Sequence, residues 1–211
     1  MIVQGSPEWF AARLGKVTAS RVADVIAKTA KGYGASRANY AAELIVERLT
    51  GAREEGFKSA AMQWGNDNEP GAREAYEFKS GLWVDQTGFI IHPRIKDAGA
   101  SPDGLVGDDG MLEIKCPNTA THLDTLSSGK PAGKYVTQMQ WQMACAERAW
   151  CDFVSYDPRL PDELRLFVVR VERDDAMIET LEAEVIAFLV ELEARIWDLS
   201  AKYGAKLAEA A

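Results

Sequence analysis

Apolar residues recur at helical spacing in the first third of the chain. Thr18-Ala19-Ser20 followed by Val22, Val25 and Ile26 predicts a helix N-cap leading into an apolar stripe, which Gly32-Tyr33-Gly34 interrupts. Ala41, Leu44, Ile45 and Leu49 repeat every three or four residues until Gly51, and a third helix is expected from about Ser59 to Lys79, closed by Gly81. The pattern then changes. Leu82-Trp83-Val84 and Gly88-Phe89-Ile90-Ile91 predict two strands of a hairpin. Gly99-Ala100-Ser101 and Leu105-Val106 flank a Pro102-Asp103-Gly104 turn, and Met111 to Cys116 reads as a short strand stopped by Pro117. A helix over about Tyr135 to Arg148 precedes two strands, Cys151–Tyr156 and Leu164–Val171. Asp174 or Asp175 then caps a long last helix, about 174–209. Along it Met177, Leu181, Val185, Phe188, Leu192, Ile196, Leu199 and Tyr203 form the apolar stripe. With no linker, repeat or low-complexity tract, the expectation is one α/β domain over 1–211: helices first, a small mixed sheet in the middle, a helical finish.

Composition narrows the class. At 211 residues, 47% hydrophobic and 27% charged, the chain matches an ordinary globular protein and excludes collagen-like or wholly disordered readings. No apolar run approaches the roughly 18 to 20 residues of a membrane span, so no membrane association is expected. The segment Met1 to Trp9 has neither a basic start nor an apolar core, so it does not read as a signal peptide. Cys116, Cys145 and Cys151 are an odd number without CxxC spacing, which suits buried free thiols in a reducing cytoplasm.

The net charge of −8 argues on its own against a phosphate-rich partner. The charge is unevenly spread, however. Residues 1–50 carry 7 basic and 4 acidic side chains, residues 51–150 carry 10 and 14, and residues 151–211 carry 7 and 14. A mildly basic front can hold a polyanion and an acidic middle can hold cations, so net charge leaves the partner open.

The candidate chemistry lies between residues 101 and 115. Asp103 sits in a turn, Glu113 falls on the next strand, and Lys115, two residues on, projects from the same face as Glu113. If the two strands pair, two carboxylates and an ammonium converge. Two hard oxygen ligands on a rigid sheet suit Mg²⁺, with water and a substrate phosphate completing the octahedron. A lysine beside them can orient the attacking water and offset transition-state charge. Glu-x-Lys alone reads more readily as an ion pair on a solvated strand face, which is a common arrangement. Preceded by a Pro-Asp turn at this distance, it reads as the PD-(D/E)xK nuclease signature.

These residues, Ser101-Pro102-Asp103-Gly104-Leu105 and Leu112-Glu113-Ile114-Lys115-Cys116-Pro117, resemble the lambda-type phage exonuclease (YqaJ-like viral recombinase) family. Trp9 and Arg13 to Ser20 resemble the family's N-terminal motif. Trp64-Gly65, Glu69 and Ala72-Arg73 resemble its helical motif, Gln138-Met139-Gln140 its late helix, and Tyr156-Asp157-Pro158-Arg159 the loop after the following strand. The resemblance covers about residues 7 to 175 and implies a restriction-endonuclease-like PD-(D/E)xK core, a central mixed sheet flanked by helices.

It also implies a Mg²⁺-dependent enzyme, with Mn²⁺ as a substitute, that digests double-stranded DNA ends 5′ to 3′. Such an enzyme releases 5′-mononucleotides and leaves a 3′ single strand for recombination by strand annealing. Asp103, Glu113 and the Ile114 backbone carbonyl would ligate metal. Lys115 would position the attacking water, and Glu69 and Gln138 would support the site. Arg13 and Ser20 would bind the terminal 5′-phosphate, Ser20 at a helix start and Arg13 through its two-pronged guanidinium. A homotrimeric ring, a single-strand annealing partner, and phage or prophage origin are implied as well. One departure stands out: where the family has a further acidic residue about ten positions before the Pro-Asp turn, this chain offers only Asp97, closer to the turn. A different PD-(D/E)xK nuclease, such as an endonuclease, or a non-catalytic DNA-end binder are the alternatives. Three cysteines are too few for an iron–sulfur relative.

Overall fold

A computed structural model describes residues 3–53 and 59–204. In chain order, α1 (Pro7–Arg13) leads into β1 (Val17–Thr18), a 3₁₀ turn (Ala19–Arg21), α2 (Val22–Ile26) and a small hairpin of β2 (Lys28–Thr29) and β3 (Gly32–Tyr33). Two longer helices follow, α3 (Ala35–Thr50) and α4 (Ala60–Ser80). Then come β4 (Ile90–Ile91), β5 (Ala98–Ala100), β6 (Gly104–Val106) and β7 (Gly110–Lys115). The chain finishes with α5 (Thr119–Ser128), α6 (Gly133–Ala146), β8 (Trp150–Tyr156), β9 (Leu166–Glu172) and α7 (Asp175–Tyr203).

The strands form two main sheets rather than one. A four-stranded sheet has the order β6-β7-β8-β9, with β7 and β8 parallel and both outer pairs antiparallel. A three-stranded sheet, β1-β5-β4, runs β1 parallel to β5. Strand β7 is central, and every residue from Gly110 to Ile114 is buried. Its alternation separates two faces. Leu112 and Ile114 pack with Val154 against Ala72 and Tyr76 of α4. Met111 packs with Phe153 against Met139 and Met143 of α6. Glu113 and Lys115 share the parity of Met111, so they project toward α6. A third core joins α2, α3, α6 and α7 through Val25, Leu44, Trp141, Val185 and Phe188. This is the expected PD-(D/E)xK architecture, a mixed sheet flanked by helices.

Several expectations need correction. Leu82–Val84 does not pair with Gly88–Ile91. The Leu82 amide donates to Ser80 Oγ and the Val84 amide to Glu77 Oε1, so the end of α4 captures this backbone. Only Asp85 forms a strand bridge, with Leu105, while Ile90–Ile91 pairs with β5. The apolar start after Thr18 gives a 3₁₀ turn and a helix of five residues, without a side-chain cap at Thr18. Helix α7 stops at Tyr203, where Gly204 takes a left-handed φ of 69°, and 205–209 lie outside the described residues. Its stripe is buried from Ile178 to Ile196, whereas Leu199 and Tyr203 are exposed. Among the described residues, no helix is long and apolar enough to cross a membrane.

Candidate active site

The strand pairing brings Asp103 to Glu113. In the β6–β7 ladder Gly104 lies opposite Leu112, so β6 begins one residue after Asp103 and the pairing goes no further along β7. Beyond Leu112 the β6-side edge of β7 has no strand partner. There the Asp103 side chain takes the place of a strand, its Oδ2 accepting from the Ile114 amide at 2.6 Å. A strand residue directs its N–H and C=O to the same edge. The Ile114 carbonyl therefore faces the gap beside Asp103. Burial and the neighbouring Glu113 charge push the Asp103 carboxyl well above its usual range.

Glu113 is fully buried. Its Oε1 accepts from Gln138 Nε2 at 2.6 Å and pairs with Lys115 Nζ, and its Oε2 accepts from Gln142 Nε2 at 2.6 Å. Burial opposes the charge on Lys115, but Glu113 and Asp103 outweigh it and its pKa rises above the ordinary lysine value. Lys115 is thus a cation that donates. Glu69 sits on α4 beside this group, its Oε1 accepting from Arg73 at 2.5 Å, and burial raises its pKa. Arg73 also reaches the Asp103 carbonyl at 3.5 Å, tying α4 to the turn.

A second cluster adjoins the turn. Arg13 donates to Ser101 Oγ at 3.1 Å and lies over the Trp9 ring, and Trp9 Nε1 donates to the same oxygen at 2.9 Å. Two donors occupy the Ser101 lone pairs, which leaves its own proton available to donate. Among the described residues no carboxylate lies within ion-pair distance of Arg13, whose pKa burial lowers to about 10, with Arg53 acting in the same direction. Such a guanidinium, charged at neutral pH and bonded only to a neutral hydroxyl, suits an anion. Ser20 is exposed on the 3₁₀ turn. Because β1 and β5 run parallel, with Thr18 beside Gly99, the chain leaves both toward the same end, Ser20 from one and Ser101 from the other.

Asp103, Glu113, Ile114, Lys115, Glu69 and Gln138 therefore converge, and Arg13 adjoins them through Ser101. Asp97 does not join them: it stands before β5, its carbonyl accepting from Val17. Three contributors were given no role by the sequence reading: Gln142, and Arg73 and Ser101, which it noted only as parts of the motifs. Gln142 carried one usable signal, its position four residues after Gln138 on the same helix face. Trp64 lies beneath Arg159, which grips the buried Asp157 through two hydrogen bonds, so it braces the loop after β8.

The donor set fits a hard divalent cation. It consists of carboxylate and carbonyl oxygens, and the nearby Cys116 thiol is pushed by burial up to about 12, so it supplies no thiolate. Among the described residues, no three His, Cys, Asp or Glu side chains close on one point. Two carboxylates with a carbonyl match Mg²⁺, which keeps several waters, better than a closed zinc site.

The model of the YqaJ-like viral recombinase domain matches residues 8–149. The chain belongs to this family. Two solved structures of LHK-Exo, an alkaline exonuclease from Laribacter hongkongensis, share 58% identity with it over 94% of this chain and 98% of theirs. Their TM-scores are 0.89 for the complex with dAMP and 0.88 for the other structure. A phage-related exonuclease from Haemophilus somnus 129PT, at 18% identity, covers 88% of this chain and 96% of its own with TM-score 0.70, a likeness of fold. No curated protein matches. Within this YqaJ-like chain the matched region includes the Arg13 cluster and the whole Asp103–Gln142 site, while β8, β9 and α7 lie beyond it.

Proposed function

We propose that this YqaJ-like protein is a Mg²⁺-dependent exonuclease that digests double-stranded DNA from the 5′ end, releases 5′-mononucleotides and leaves a 3′ single strand for annealing. The observation that carries the reading is the convergence of Asp103, Glu113, the Ile114 carbonyl edge and a protonated Lys115 beside an Arg13 that has no acidic partner among the described residues. A relative at 58% identity with dAMP bound, a deoxynucleoside monophosphate, fits mononucleotide release.

Asp103, Glu113 and the Ile114 carbonyl would hold the metal, which when bound polarises the scissile phosphate and makes its water a better nucleophile. Lys115 orients that water through its ammonium and offsets charge developing on phosphorus. Gln138 holds Glu113 toward Lys115. Glu69, neutralised by Arg73, orders water at the α4 side. Arg13, the Ser101 hydroxyl and Ser20 take the terminal 5′-phosphate and set the register, so that the scissile bond lies one nucleotide inward. The working assembly is a homotrimeric ring threaded by DNA, and its 3′ strand passes to a single-strand annealing partner in a bacterial cytoplasm.

The test uses linear duplexes differing only in a 5′-phosphate or 5′-hydroxyl, labelled separately at each 5′ and 3′ terminus. Label should leave the 5′ end first, as mononucleotide, and EDTA should abolish release. A charge-assisted Arg–phosphate contact contributes about 1.5–3 kcal/mol. The 5′-hydroxyl substrate should therefore be cut roughly tenfold to a hundredfold more slowly, and Arg13→Ala should erase most of that difference. Release of the 3′ label first, or EDTA-resistant cutting, overturns the reading. Equal initial rates on both substrates, with chemistry rate-limiting, overturn the pocket.

A further inference from the structure

Helix α6 buries two glutamines, and they are used differently. Gln140 is fully satisfied by backbone: its Nε2 donates to the Glu172 carbonyl at 2.8 Å and its Oε1 accepts from the Asp174 amide at 2.9 Å. It ties α6 to the junction between β9 and α7. Gln142, with no exposed surface at all, makes one bond, to Glu113 Oε2. Its own carbonyl oxygen is buried without a hydrogen-bond partner. An orphaned buried carbonyl is a standing cost, and a methionine of similar length would fill the space without it. The amide cannot turn over to relieve that cost, because an oxygen would then face the Glu113 carboxylate.

We propose that Gln142 is a positioning residue for catalysis: it holds the inner oxygen of Glu113 and so fixes which edge of that carboxylate faces the metal. The proposal rests on the nuclease reading above. Gln138 and Lys115 share Oε1, the oxygen on the partly open side, whereas the Gln142 bond to Oε2 is completely buried. With Oε2 tethered, Glu113 cannot swing its carboxylate about the terminal torsion, which is intrinsically broad for glutamate. Oε1 remains as the oxygen offered to the site. The two amides come from one helix four residues apart, so the rigidity of α6 sets their spacing and clamps the carboxylate between them. Gln142 touches neither substrate nor metal in this scheme and acts only through Glu113.

The test is Gln142→Met, which keeps length and removes the donor, measured against Glu113→Gln and the double variant. Mn²⁺ binding to the metal-free proteins is read by titration calorimetry, and the metal concentration for half-maximal rate is compared with kcat at saturating metal. Circular dichroism checks the fold. Gln142→Asn, which withdraws the amide by one methylene, replaces the methionine variant if that does not fold. The expected result is Mn²⁺ affinity weakened about tenfold or more, with a matching rise in the half-maximal metal concentration and a smaller change in kcat. In the Glu113→Gln background, Gln142→Met should change neither further, because the interaction is already gone. Mn²⁺ affinity within twofold of wild type for Gln142→Met, while Glu113→Gln weakens it, overturns the positioning role and leaves the nuclease reading standing. An equal loss in both backgrounds also overturns it, since it marks a packing effect independent of Glu113. Unchanged affinity in Glu113→Gln itself removes Glu113 from the metal site and overturns the reading together with the proposal.

Discussion

The fold holds the Asp103 carboxyl against its own charge. Its partners are one backbone amide and the Lys115 charge, while burial, Glu113 and Glu69 all oppose its ionisation. A carboxyl whose folded value is raised binds its proton more tightly in the folded chain. The stability this brings is complete below the unfolded value, about 3.9, and drains away as pH rises through the folded value. Asp103→Asn removes that titration and keeps an oxygen able to accept from Ile114. In EDTA, the melting temperature of Asp103→Asn should gain on wild type as pH rises from about 4 to 8. Added Mg²⁺ should stabilise wild type and leave the variant unmoved, since ligands stabilise the state they bind. Parallel melting curves across that pH range would overturn the account of Asp103. At this scale the convergence of Asp103, Glu113 and Lys115 was legible in the sequence, because a turn and a two-residue strand spacing are local facts. The contacts of Gln142, Ser101 and Arg73 were not, because they span 29, 88 and 30 residues of chain and only the fold creates them.

Among the elements, β6 and β7 do most to place the site, and Gly104, next to Asp103, is a tightly packed point in them. A Cβ there would lie 2.1 Å from Val84 Cγ1, closer than real contacts allow. Gly104→Ala must therefore displace either Val84 or the strand that begins at Gly104. Overpacking of this kind costs about 1–3 kcal/mol. The expected outcome is a lower denaturation midpoint together with weakened metal binding, because the Asp103 turn moves with β6. Normal metal affinity in a destabilised Gly104→Ala protein would show that Val84 yields and the turn does not. The same scale explains which elements escaped the sequence. Helix α5 is rich in Thr and Ser, buries only His122, and is capped by Asn118, so it lacks an apolar stripe. Helix α1 has no buried residue, and its signal was the Ser6-Pro7-Glu8 start, with Ser6 capping the Trp9 amide. Leu82–Val84 looked like a strand by residue type but spends its amides on side chains of α4. Periodicity finds elements with a continuous apolar face, and these three have none.

Whole-molecule electrostatics limit how this protein can hold DNA. With a net charge of −8, the surface as a whole repels a duplex, and only local groups such as Arg13 attract it. Affinity built from phosphate contacts falls steeply as salt rises, because each contact releases a counterion. A ring evades this once the duplex is threaded, since escape then requires opening the assembly rather than breaking ion pairs. Capture and progress should therefore respond differently to salt. Digestion of an end-labelled long duplex is started at low salt, then chased with excess unlabelled duplex while salt is raised to about 0.2 M, enough to weaken phosphate contacts severely. Molecules already engaged should continue to shorten at nearly the unchased rate, and new starts should cease. Sedimentation under the same buffer should give a mass three times that of one chain. Arrest of all shortening at the chase, with a sedimenting mass of a single chain, would overturn the ring. The nuclease reading would survive that result, because Asp103, Glu113 and Lys115 lie within one chain and need no neighbour to converge.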